Sequence, residues 1–197
     1  MSNEVNVDAE SIKKAAEGLV ELIKLRTFPF GMKLFENVDD MLAIKGLRTP
    51  SDGKFFTTCQ LVTQVRTAGF TLGIVQNNLR PGSSCGANIG LEIVPEDVSS
   101  GQKMTGVWFG NQEAAAKHQA QMPRVEAGKY SGLAASPLRT GRLDPPDICL
   151  FYASPGQMIL FINGLQYTNY RRYDFTLTGE SACADSWGVL YLPGKQA

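Results

Sequence analysis

Proline punctuates residues 143–170 more firmly than any other part of the chain. In "LDPPDICLFYASPGQMILFINGLQYTNY" the pair Pro145-Pro146 imposes a turn, since neither residue can donate a backbone N–H. The run "DICLFYA" that follows is apolar and of strand length, and it reads as a buried strand. Pro155 then opens a helix of about four turns, at the position where proline's fixed φ suits a first helical residue. A strand that passes straight into a helix needs a sheet with a helical layer on it.

The rest of the chain repeats that alternation. Residues 12–26 place Ile12, Ala15, Ala16, Leu19, Val20 and Ile23 on one helical face, with Ser11 as the expected N-cap. "FPFGMKLF" reads as a strand, with Pro29 putting it at a strand start or a sheet edge. "NVDDMLAIKGL" predicts a short helix from Asn37 to Gly46. Residues 57–69 predict a helix capped by Thr57 or Thr58 and stopped by Gly69. "FTLGIVQNNL" and Ile89–Val94 read as strands, residues 106–122 as a helix, and "YSGLAASPL" as a strand broken at Pro137. "YDFTLTGES" reads as extended, and 181–191 as the start of a helix capped by Ser181. No repeat or linker divides the 197 residues. The expectation is one domain, 1–197, of α/β or mixed α+β class, with a central mixed sheet flanked by helices.

Charge excludes some partners. Lys plus Arg and Asp plus Glu both count 19, so no basic field is available for nucleic acid or for an anionic membrane surface. The near-zero net charge leaves self-association weakly opposed, and a homo-oligomer is compatible with it. The polar start "MSNEVNVDAE" does not resemble a signal peptide, and "MILFINGL" is too short to span a bilayer. The expected compartment is the cytoplasm, where four cysteines read as thiols, metal ligands or catalytic groups rather than disulfides.

Three cysteines share a setting. Cys59 and Cys183 fall in the first turn of expected helices, and Cys85 lies in the Gly/Ser turn "PGSSCGANIG". Each setting exposes backbone N–H groups, which favours the thiolate that binds metal or attacks an electrophile. Cys149, between Ile148 and Leu150, reads as core. No C-x-x-C pair is present, so zinc fingers and simple ferredoxins are excluded as motifs. By spacing alone, three unrelated thiols remain an equal alternative.

The single histidine, His118, lies in the polar part of a helix and reads as a surface residue. A chain this poor in histidine disfavours Ser–His and Cys–His nucleophilic designs and His-rich metal sites. Neither a P-loop nor a dinucleotide fingerprint occurs. The 82–86 turn could cradle an anion, but packing explains it as well. Arg171-Arg172 could clamp a carboxylate or phosphate, and Glu180 and Asp185 could orient a ligand beside Cys183; solvated surface charges account for both.

In order, "PFGMKLF", Cys59, "VRTAGF", a cysteine before "ANIGLEI", "GKYSGLAASPL", "PPDICLFYASPGQMILFINGLQY" and "TGESACADSW" resemble the domain-of-unknown-function family 169. That family comprises archaeal and bacterial, largely anaerobic proteins. The resemblance covers nearly the whole chain. It implies that Cys59, Cys85 and Cys183 occupy the family's cysteine positions and that Cys149 occupies an ordinary strand position. Members commonly continue past "GKP" into an Ile-Pro-Cys-x-Gly-Glu-Arg segment, whereas this sequence ends "LPGKQA". On that comparison the chain is expected to be C-terminally shortened, with a cysteine fewer.

The leading expectation is a cysteine-ligated metal site, a [4Fe-4S] cluster held by Cys59, Cys85 and Cys183, with one iron open to water or a small molecule. One alternative is a metal-free small-molecule-binding or accessory protein, its pocket lined by "PFGMKLF" and the Gly-rich turn. The other is a thiol-based redox protein using Cys85. The three differ in whether an enzyme is present.

Overall fold

The computed structural model describes residues 8–82, 84–173 and 183–188. Its sheet has four strands, β1 (Phe30–Phe35), β2 (Leu72–Val75), β3 (Gly132–Pro137) and β4 (Ile148–Leu150), in the order β2-β3-β1-β4. Every neighbouring pair is antiparallel. This corrects the mixed sheet expected from alternation: the class is α+β. β1 takes its two neighbours from residues a hundred positions later, so helices between strands serve here as coverings rather than as parallel crossovers. Pro29 does precede a strand start, yet the strand it starts is internal.

Strand periodicity separates two faces. Phe30, Met32, Leu34, Ile74, Leu133, Ala135 and Ile148 point to one, and pack against Leu61, Val62 and Val65 of helix α3 (Thr58–Ala68). The other face carries Gly73, Ala134 and Val75, covered by helix α2 (Val38–Leu42) through the fully buried Met41. There is no space for a larger residue below it: a Cβ on Gly132 would stand 2.9 Å from Met41 Sδ. β3 is therefore buried throughout, and on this face it carries the small residues Gly132 and Ala134.

The same alternation explains Cys149. It pairs with Gly31, on the face opposite Ile148, at the outer end of the sheet. Cys149 is exposed there, not core. An apolar run three residues deep at an edge buries only alternate side chains.

Capping chemistry places the longer helices. Helix α1 (Ala9–Leu22) is capped by Asp8, whose carboxylate accepts from Ser11 N at 2.7 Å, so the cap lies three residues before the expected one. α2 is capped by Asn37 as expected and ends short of Gly46. α3 has a full capping box between Thr57 and Gln60, and Gly69 ends it in the left-handed region at φ 75°.

The 84–94 region departs from expectation. Ser84–Asn88 form a short helix, α4, where a turn was expected, and the strand at Ile89–Val94 is absent. Leu91 N donates to Gly86 O and Gly90 N to Ala87 O, the pair of bonds that closes a helix through a left-handed glycine. Gly90 has φ 76°, and a Cβ there would lie 2.6 Å from Glu126 O. A chain that reverses at Gly90 cannot run on as a strand, although Ile89 and Leu91 still reach the core. Helix α5 (Glu96–Ser99) follows. Helix α6 (Gln112–Gln121) is capped by Asn111, five residues inside the expected 106–122. Within α6, His118 lies against the Phe109 ring, with centroids 4.9 Å apart.

The Pro145-Pro146 turn leads into β4. Helix α7 (Pro155–Asn169) then starts on a capping box between Ser154 and Gln157, as the prolines require. Its sides are apolar yet open, with Ile159 and Leu160 both more than half exposed. Among the described residues no helix is long and apolar enough to cross a membrane. The expected "YDFTLTGES" segment and the Ser181 cap lie outside the described residues, Tyr173 excepted.

Candidate functional site

Three elements that are remote in sequence deliver one cysteine each to a single cleft. Cys59 is the second residue of α3, fixed by the Thr57 capping box. Cys85 sits in α4, which packs on α3. Cys183 precedes a single π-helical turn, Ala184–Gly188. That turn is anchored by burial: Ala184 is fully buried and Trp187 lies in the main core. Gly188 meets the carbonyls of Asn88 and Pro123 so closely that a Cβ would stand 3.1 Å from Pro123 O.

Cys85 is the middle member. Cys183 donates to it with the sulfurs 3.9 Å apart, and Cys59 is also hydrogen-bonded to it. The cleft has a volume of about 520 Å³, and the three thiols share its lining with Thr63, Phe151, Tyr152 and Trp187 among others. Asn88, almost wholly buried, directs its side-chain N–H toward Cys183 Sγ at 4.0 Å.

The electrostatics reverse one expectation. The hydrogen bond to Cys85 holds the thiols of Cys59 and Cys183 well above the usual cysteine range; burial adds to this, and charge on Cys85 raises both further. A helix N-terminus favours a thiolate by a modest local field, but three sulfurs in one place oppose one another's ionisation more strongly. No lysine, arginine or histidine is among the described residues lining the cleft to offset that. Tyr152 is raised by burial, lowered by Arg66, and raised by charge on Cys59 and Cys183, so it feels both the thiols and a cation behind it.

Convergence of Cys59, Cys85 and Cys183 is thus present, while Cys149 is remote on the sheet edge. Among the described residues no three His, Cys, Asp or Glu side chains stand in a ready metal-holding arrangement. The 3.9 Å Cys85–Cys183 separation nonetheless suits two sulfurs on one tetrahedral ion, where bonds of about 2.3 Å give a sulfur–sulfur edge of about 3.8 Å. In a cubane each thiolate takes a different iron, so the sulfurs would move apart on loading.

Sequence reasoning missed the aromatic wall and Asn88. Tyr152 and Phe151 were read as strand, and β4 stops at Leu150, which frees them to line the cleft. "PFGMKLF" is a central buried strand and does not line it. Arg171 lies over the Tyr173 ring at 5.5 Å; Glu180 and the Asp185 side chain fall outside the described residues.

No curated protein matches the chain and no solved structure matches it. A family match spans residues 18–197, nearly all of the sequence and every element of the cleft. The chain belongs to the family DUF169, described as uncharacterised ArCR.

Proposed function

We propose that the three cysteines hold a thiophilic metal centre, an iron–sulfur cluster, facing a cleft in which a small molecule is bound or sensed. The observation that carries this reading is the meeting of Cys59, Cys85 and Cys183 at the mouth of one cleft, from α3, α4 and the π-helical turn. Their electrostatics support metal over a free nucleophile. A reactive thiol needs a nearby cation to keep it ionised. The described lining supplies none, and Cys59 and Cys183 are raised instead. A bound metal would supply the missing positive charge and take the protons' place. Three protein ligands would leave a position open toward the cleft, as catalytic metal sites do. Asn88 would then donate to a ligand sulfur and tune the centre.

A second reading has its own support. The Cys85–Cys183 separation of 3.9 Å fits a single tetrahedral ion such as zinc without rearrangement. Metal and sulfide analysis of protein purified without oxygen separates the two. Iron with acid-labile sulfide and broad absorption near about 400 nm supports the cluster. Stoichiometric zinc in a colourless protein supports the single ion. Neither metal after reconstitution, with all three thiols labelled freely, overturns both.

A further inference from the structure

Behind Tyr152 lies a second cavity of about 510 Å³, lined by Lys24, Arg26 and Arg66 and, among the described residues, by no carboxylate. Among the described residues, Tyr152 is the one that lines both this cavity and the thiol cleft. We propose that this chamber binds an oxyanion, so that the small molecule taken by the protein carries a carboxylate or phosphate at one end. The assignment rests on the metal-centre reading only for what meets the molecule's other end.

Helix α3 sets the spacing. Cys59, Thr63 and Arg66 fall at i, i+4 and i+7, on one face, beside the buried face of Leu61, Val62 and Val65. Seven residues rise about 10 Å along a helix, the reach of a small metabolite. Arg66 lies over the Tyr152 ring, its Cζ 4.1 Å from the centroid, and its Nε is buried with no hydrogen-bond partner among the described residues. A guanidinium with an unused donor beside an aromatic face is the fork that takes carboxylate or phosphate. None of Lys24, Arg26 and Arg66 is in an ion pair among the described residues.

The loop that brings Lys24 and Arg26 is rigidly tied. Gln157 Nε2 donates to Ile23 O and Lys24 O at 2.9 and 2.7 Å, and Phe28 N donates to Arg66 O at 2.9 Å. Lys24 itself is held in the left-handed region at φ 57°, unusual for a residue with a side chain. Thr27 Oγ1 is buried in the same wall, without a partner among the described residues. Among the described residues, three cations outside any ion pair, two buried donors without a partner and a pinned loop surround one cavity, the makings of an anion site.

The test is calorimetric titration of the reduced, chelator-treated full chain with inorganic phosphate and, separately, with succinate, at low ionic strength. Working without metal keeps this result independent of the thiol centre. Saturable binding of either probe, weakened about tenfold or more in Arg66→Gln, supports the chamber, and the stronger probe names the anion class. The doubly exposed variant Lys24→Gln/Arg26→Gln, with its fold checked by circular dichroism, must weaken the same probe and reduce its salt dependence. The proposal is overturned if neither probe binds more tightly than about 10 mM, or if binding persists unchanged in both variants.

Discussion

Metal uptake should depend on pH far more steeply than at an ordinary carboxylate or histidine site. Cys59 and Cys183 are both raised, so near neutral pH each carries a proton that a metal must displace. Each displaced proton makes the apparent affinity rise tenfold per pH unit, about 1.4 kcal/mol. The two raised thiols alone give about a hundredfold per unit, so zinc or cadmium affinity should rise at least about ten-thousandfold between pH 6 and 8. The metal-free protein should show the opposite trend. Both thiols sit above their unfolded value of 9.0, so their contribution to stability is present below pH 9 and fades as pH climbs past it. The assay is chelator competition at half-unit steps, corrected for the chelator's own protonation, with proton release checked by calorimetry in two buffers. Replacing Cys59 by Ser should lower the slope by about tenfold per unit. A wild-type slope below tenfold per unit would refute the reasoning, since it would mean that metal binds without displacing these protons.

Gly90→Ala should destabilise the fold by about 2 kcal/mol or more, because a left-handed alanine costs about 1–2 kcal/mol before its Cβ meets Glu126 O at 2.6 Å; the denaturation midpoint reads it. Thr57→Ala removes the N-cap of α3 and should cost about 1 kcal/mol, while loosening Cys59 enough to speed its labelling. Cys149→Ser should change stability by less than about 0.5 kcal/mol and leave metal uptake unaltered, since the residue is exposed on the sheet edge. Asn88→Leu should leave the metal in place but shift the centre's reduction potential or spectrum, through loss of the N–H that faces Cys183.

What the sequence made legible was local. Helices α3 and α7 were readable because Thr57 with Gln60 and Ser154 with Pro155 and Gln157 are complete start signals within four residues. Strand β3 was readable because Pro137 ends it. The 84–94 segment was misread because its apolar residues matched a strand while Gly90 decided the matter. An apolar residue straight after a glycine, here Leu91, is the signature of a closed helix end and could have revealed it. Cys149 was misread for a different reason: hydrophobic neighbours in sequence say nothing about which face of an edge strand is covered.

The candidate site was half legible, and the missing half is non-local. Each cysteine could be singled out from its own turn, but the fact that they meet depends on contacts 26 to 100 residues apart in the chain. Cys183 reaches Cys85 because Trp187 is pulled into the core and Gly188 lets the π-helical turn press on Asn88, the last residue of α4. The ionisation state inverts for the same reason: a first-turn cysteine judged alone looks like a thiolate, whereas one of three in contact is held as a thiol. The cationic chamber has the same origin. Lys24 and Arg26 belong to the turn after α1, Arg66 to α3 and Tyr152 to the stretch after β4, and only the folded sheet brings them round one cavity. Helix α3 belongs to both places, with Cys59 near its first turn and Arg66 in its last. The helical rise over those seven residues therefore sets the distance between the thiol cleft and the cationic cavity.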